Sequence, residues 1–271
     1  LLEFAAEPIA DVRFVVSADK TGKGTAMVHR GRGIYLRELQ HSCKGSVACS
    51  VNVKPTLHED AANTERVALD VQAALTPSAG WLTCAASLPL THGGKAFDVT
   101  VACGKLAPGC HYAEVLGTDM AKPAAFGPIF RVPVTVIKPH ADLTEAGAPL
   151  SYSYDFLPFT AGHVERRFVV PPNGATWATI RLLVRTAANG AIAKDPAGPA
   201  VFMVHTTQLL PSTSTKHNET CQRVSMSMPS ASGAPPAEYT LSMRVTGGVT
   251  MEVTLAQWWA AVGETEASLG V

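Results

Sequence analysis

Hydrolysis or group transfer needs a nucleophile, a base within reach of it and a group that orients the base. The 271-residue sequence offers none of the settings in which such groups are recognised. It has no G-x-S-x-G elbow, no H-E-x-x-H, no P-loop and no G-x-G-x-x-G. Gly24-Thr25-Ala26-Met27 has the outline of a serine-nucleophile box, but Ala stands where the hydroxyl must be. It also precedes a strand pattern instead of opening a long helix, so it reads as coincidence. The nine histidines are scattered, with no pair at helical i, i+4 spacing. His205 lies inside an apolar run and reads as a hydrogen-bonded core or edge histidine rather than a ligand. His58-Glu59-Asp60 reads as a solvated loop tip. No catalytic, cofactor-binding or metal-ligating residue is assigned, and no cofactor is expected.

Four residues are better suited to contact than to chemistry. Arg166 and Arg167 follow Glu165 in an alternating run, so one should face out and the other inward or toward a neighbour. They read either as an interface clamp or as a local ion pair worth little. Trp258 and Trp259 end the alternating run Met251, Val253, Leu255. On a strand they would point to opposite faces, one packing inside and the other covering a neighbouring domain. A carbohydrate-stacking platform is the alternative.

Lys+Arg and Asp+Glu number 22 each, and charged residues are only 16% of the chain, against roughly 25% in an ordinary soluble domain. With 46% hydrophobic residues this is a folding sequence. A zero balance argues against a nucleic-acid partner, and no apolar run long enough to span a membrane exists. The charge shortage points to a surface covered by something else and predicts an exposed apolar patch larger than a few hundred Å² on the isolated chain. The six cysteines match no zinc spacing and read as reduced thiols of a cytoplasmic protein, not as a disulfide framework. Asn218-Glu219-Thr220 fits a glycosylation sequon, which matters only outside the cytosol. The first residues carry no Met and no signal peptide, and the last resemble the start of a strand, so both ends read as cut from a longer polypeptide.

These residues sit in an all-β pattern. A helix closing at 1–6 is expected, then strands near 12–17, 33–39, 47–53, 66–75, 81–86, 96–102, 111–117 and 129–137. From Gly33 onward the count and spacing suit an immunoglobulin-like β-sandwich. Tyr112, in a strand after the turn at Pro108-Gly109, stands where a tyrosine corner belongs, its phenol reaching back to the backbone. The polar, aperiodic stretch 139–150 reads as a linker. A second series near 151–156, 164–170, 176–185, 200–209, 223–228, 239–245 and 250–255 suits a jelly-roll β-sandwich one strand short of eight, as if truncated at its last strand. Long loops at 186–199, 211–220 and 229–237 interrupt it.

The chain resembles the tripeptidyl-peptidase II family of subtilisin-like serine peptidases. The resemblance rests on Arg32-Gly33-Ile34-Tyr35-Leu36-Arg37-Glu38, Gly80-Trp81-Leu82-Thr83-Cys84, Pro108-Gly109-Cys110-His111-Tyr112 and Gly127-Pro128-Ile129-Phe130. It continues in Gly162-His163-Val164-Glu165-Arg166-Arg167-Phe168, Pro172-Asn173-Gly174-Ala175-Thr176-Trp177 and Trp258-Trp259-Ala260, all in order. It implies a region C-terminal to the catalytic domain: residues 1–32 a remnant of that domain and the connection from it, 33–138 the immunoglobulin-like sandwich, 151–271 a galactose-binding-like jelly roll. The family's catalytic triad, oxyanion asparagine and N-terminus-binding acidic residues match no position here. The implied partners are the catalytic domain of the same polypeptide and the subunits of a homo-oligomer. The competing reading is a secreted two-module carbohydrate-binding protein.

Overall fold

The computed structural model describes residues 12–20, 32–42, 45–122, 124–142, 152–186, 199–210, 218–227, 235–260 and 265–271. The expected helix at 1–6, the Gly24–Met27 box, Cys43 and most of the three long loops lie outside these residues. The chain divides into two compact units, Leu1–Lys138 and Pro139–Val271.

In the first unit, β1 (Val12–Lys20), β3 (Val47–Leu57), β7 (Lys95–Val101) and β5 (Leu82–Cys84) form one sheet in the order β1-β3-β7-β5. The facing sheet runs β2-β9-β8-β4-β6, from β2 (Ile34–Leu36), β9 (Phe130–Lys138), β8 (Gly109–Asp119), β4 (Asp70–Pro77) and β6 (Ser87–Thr91). Alternation fills the space between them. Cys49, Val51 and Val53 of β3 and Phe97, Val99 and Val101 of β7 are buried with Val115 of β8 and Val132, Val134 and Val136 of β9. Polar Asn52 and Lys54 lie on the opposite face of β3.

Three features differ from expectation. Val12–Lys20 pairs antiparallel with β3 along its whole length, so the sandwich begins before Gly33 and this stretch is no mere connection. Asn63–Ala68 is a short helix, and the strand starts only at Asp70. Local hydrogen bonds decide it: Glu65 Oε2 accepts from the Ala62 N–H, and Arg66 donates to the carbonyls of His58, Glu59 and Ala61. β6 is an unexpected strand holding Pro89, a residue without an N–H, and it lies at a sheet edge where none is needed.

The second unit pairs the sheet β10-β12-β17-β14-β15 with the sheet β11-β18-β13-β16. Here β10 is Ala141–Asp142, β11 Leu157–Phe159, β12 Val164–Val170, β13 Trp177–Thr186 and β14 Ala200–Gln208. β15 is Glu219–Met226, β16 Ala237–Arg244, β17 Met251–Gln257 and β18 Thr265–Gly270. The core joins Phe159, Ile180, Leu182, Val184, Phe202, Val204, Val253, Leu255 and Leu269.

The second sandwich also contains a strand at Thr265–Gly270, beyond the last one expected at 250–255. β18 lies between β11 and β13 and turns Thr265, Ala267 and Leu269 inward. The last residues of the sequence already read as the start of a strand, and β18 begins two residues before Ala267, at Thr265. The strand expected at 151–156 is reduced to a bridge from Ser153 to Gly270. The linker is anchored where it begins: the His140 N–H donates to the Phe168 carbonyl at 2.6 Å, and Ala141–Asp142 pairs parallel with β12. Among the described residues no helix is long and apolar enough to cross a membrane.

Candidate interface site

Strand alternation sends Arg166 and Arg167 to different faces of β12, as expected. Arg166 is on the outer face of its sheet, opposite Thr254, and its side chain is 54% exposed. Its Nε and Nη2 both meet Glu252 Oε1, at 2.8 and 2.5 Å, from the neighbouring strand β17. Glu252 itself is only 9% exposed. Arg167 turns inward, pairs with Glu165 Oε1 at 2.5 Å and lies over the Tyr154 ring at 4.8 Å. Its Nε and the Tyr154 hydroxyl are buried without hydrogen-bond partners. Burial pushes the Tyr154 phenol above its ordinary range. Arg167 therefore closes the rim of its own sandwich, and only Arg166 presents to the outside.

The two tryptophans do not follow the strand argument. β17 ends at Gln257, so Trp258 and Trp259 lie just past it, where alternation no longer holds. Their ring centroids are 6.1 Å apart, so they lie side by side. Trp258 is half-buried, receives the Arg223 guanidinium over its ring at 5.1 Å, and donates its N–H to the Val201 carbonyl. Trp259 is 73% exposed. Val164, also exposed, is opposite Ala256 on the outer face of the same sheet. This shelf is the site's apolar part.

Farther along that face, His205 and Cys221 are cross-strand partners, and His205 Nε2 meets Glu219 Oε1 at 2.7 Å. At the corner where β14 ends and β15 begins, a pocket of about 60 Å³ opens, lined by residues including Thr206, Asn218, Glu219, Thr220 and Arg244. Asn218 Nδ2 is buried and without a partner. The sequon's amide is thus shielded in the folded protein. No group of three or more His, Cys, Asp or Glu among the described residues is placed to hold a metal.

In the first unit Tyr112 is not a tyrosine corner. It is 60% exposed, and its hydroxyl donates to Glu114 Oε1 at 2.5 Å. The Tyr112 hydrogen bond, then Arg131, holds the Glu114 carboxyl below its usual range. The back-reach is made instead by His111, whose Nε2 meets the Ala107 carbonyl at 2.7 Å. The five described cysteines, Cys49, Cys84, Cys103, Cys110 and Cys221, are free thiols.

Residues 13–137 match the family described as "Tripeptidyl-peptidase II, first Ig-like domain", and residues 159–263 match "TPPII, galactose-binding domain-like". The chain belongs to the tripeptidyl-peptidase II family. It is 32% identical over 252 residues to the tripeptidyl-peptidase 2 of Oryza sativa subsp. japonica, across 92% of this chain and 17% of that protein. It is 31% identical over 252 residues to the protein of that name from Arabidopsis thaliana, across 92% of this chain and 16% of the relative. A crystal structure of tripeptidyl peptidase 2 superposes with a TM-score of 0.76 at 25% identity, over 96% of this chain and 20% of that one. The chain thus spans less than a fifth of the length of these curated relatives. The tripeptidyl-peptidase II match begins at residue 13, inside β1, in line with that strand's place in the first sandwich.

Proposed function

We propose that this chain is a non-catalytic structural and assembly region of a tripeptidyl-peptidase II, a serine exopeptidase that releases tripeptides from free N-termini. The observation that carries the reading is the family match across both sandwiches in a sequence with no nucleophile setting. In the parent, a subtilisin-like domain would perform acyl-enzyme chemistry. This region would brace that domain and offer surfaces to a homo-oligomer. The Trp258–Trp259 shelf, the adjacent Val164 and the low charge support such a contact, because apolar surface beside few charges is inexpensive to desolvate. Free thiols favour a reducing, cytoplasmic setting.

The isolated chain should not hydrolyse a tripeptide–chromophore substrate. Turnover blocked by a serine-directed inhibitor would overturn the reading. In the full-length enzyme, Trp259→Ser should lower the assembly mass seen by light scattering. An unchanged mass would remove the shelf from the interface.

The carbohydrate-binding alternative draws on exposed Trp259 alone. The sequon amide is buried, and the pocket of about 60 Å³ is far below the roughly 300 Å³ at which small-molecule pockets begin. Glycan-array binding lost in Trp258→Ala or Trp259→Ala would favour that alternative.

A further inference from the structure

β15 comes last in its sheet, β10-β12-β17-β14-β15, so one side of it has no strand neighbour among the described residues. Its register against β14 runs one to one from Thr207↔Glu219 to Ala200↔Met226, with no bulge. The Gln208 N–H donates to the Asn218 carbonyl, and that bond fixes the phase of the ladder. In an antiparallel pair, residues that exchange hydrogen bonds alternate with residues that do not. Thr220, Gln222 and Val224 therefore bond to β14, whereas Glu219, Cys221, Arg223 and Ser225 turn their N–H and C=O groups to the open edge. The side chains of the same four residues are exposed.

Soluble proteins blunt such edges with short strands, Pro, Lys or bulges. In this chain β2, β5 and β11 have three residues, β10 has two, and β6 carries Pro89. β15 has eight residues and none of these devices. Its two charges, Glu219 and Arg223, are of opposite sign and flank Cys221 at equal spacing. Arg223 lies over the Trp258 ring and meets no carboxylate among the described residues. Glu219 uses only Oε1, toward His205. On β16, the other long edge of this unit, Arg181 already engages both oxygens of Glu238.

We propose that β15 is a self-pairing edge, where two copies of this chain join their β15 strands antiparallel about a two-fold axis at Cys221. In this register Glu219 of each copy is opposite Arg223 of the other, and both charged pairs attract. No other register does this. An axis at Arg223 sets that arginine against itself, and one at Gln222 sets Arg223 against Cys221 and Glu219 against Ser225. The contact is isologous, and it gives the open N–H and C=O groups of each strand their missing partners. The two five-stranded sheets become one. The proposal gives the assembly role a specific surface and rests on that reading, but not on the exposed Trp259.

Sedimentation of the 271-residue chain should show a monomer–dimer equilibrium. Arg223→Glu and Glu219→Arg each set like charges opposite one another twice, and each should weaken the dimer at least about tenfold. The swap Glu219→Arg/Arg223→Glu restores both attractions and should recover most of the loss. A monomer at every concentration, or a swap no better than the single changes, overturns the proposal. A second measurement needs no charged variant. Directly opposite residues that exchange hydrogen bonds have Cα atoms about 5.5 Å apart, inside the roughly 4.4–6.8 Å span of a disulfide. In a Cys43→Ser/Cys110→Ser background, oxidation by copper–phenanthroline should link two chains, and Cys221→Ser should abolish the link. No linked dimer, or a link that survives Cys221→Ser, overturns the pairing at Cys221. A monomeric chain beside a full-length enzyme that Trp259→Ser dissociates overturns the β15 edge and leaves the assembly role standing.

Discussion

Arg167 holds its guanidinium carbon 4.8 Å from the centroid of the Tyr154 ring, yet neither Arg167 Nε nor the Tyr154 hydroxyl has a hydrogen-bond partner. The ring serves as a platform for the cation, and the hydroxyl contributes nothing visible to it. Tyr154→Phe keeps the platform and removes a buried, unsatisfied oxygen. Urea unfolding should show stability unchanged or raised by up to about 1 kcal/mol. Because burial raises the phenol's pKa in the folded state, the unfolded state ionises first as pH passes about 10, and stability falls from there. The variant should lose that part of the alkaline decline. A clear loss of stability in Tyr154→Phe at neutral pH would show that the hydroxyl has a partner after all.

The Arg166–Glu252 pair differs, because its carboxylate is 9% exposed while its arginine side chain is 54% exposed. Arg166→Ala should cost about 1–2 kcal/mol by leaving a nearly buried charge with less compensation. The double variant Arg166→Ala/Glu252→Ala should cost less than the sum of the two single changes. Strict additivity in chemical denaturation would deny the coupling.

Burial, and after it Arg167, holds the His140 imidazole below its ordinary range. Nδ1 accepts the Phe168 N–H at 3.1 Å, so the neutral ring carries its proton on Nε2. The unfolded state takes up a proton near about pH 6.5, while the folded state does so only at lower pH. This contribution to stability is complete above that pH and is lost as pH falls toward the folded value. His140→Gln should flatten the fall in urea midpoint between about pH 7.5 and 5. An identical fall in both proteins would remove His140 from the account.

Gly117 has no room for a side chain. A Cβ there would stand closer than 3.0 Å to three atoms of the ring of Phe130, its cross-strand partner. Phe130 is 5% exposed and cannot swing aside into solvent. Gly117→Ala should cost about 2 kcal/mol, read as a lower melting temperature, and Phe130→Leu in the same protein should recover part of it. A melting temperature equal to wild type would refute the clash.

Thiol titration of the denatured, unreduced protein should count all six cysteines, since the five described ones are free. A count of two or fewer would indicate disulfides and return support to the secreted reading.

The two-sandwich architecture was legible because strand alternation is a short-range signal. In β3 residue type already tells which face each position takes, and in β12 the alternation alone, though not residue type, puts Arg166 and Arg167 on opposite sides. The strand argument does not reach the tryptophan pair, because alternation holds only as long as the strand does and β17 ends at Gln257. Tyr112 failed for a related reason. A motif fixes which residue follows the turn, but not whether its phenol or the neighbouring His111 ring reaches the backbone.

Fold class, the absence of a nucleophile setting and family kinship follow from the order of residue types along the sequence. Those properties depend on composition, periodicity and motif order. Other features depend on which strands become neighbours. The pairing of Glu252 with Arg166 joins positions 86 residues apart, and the central place of β18 comes from partners on both sides. Residues of β14, β15 and β16 line one pocket only because the ends of those strands converge. Long-range pairing is set by the sum of core packing over two sheets, and no local stretch of sequence contains that sum.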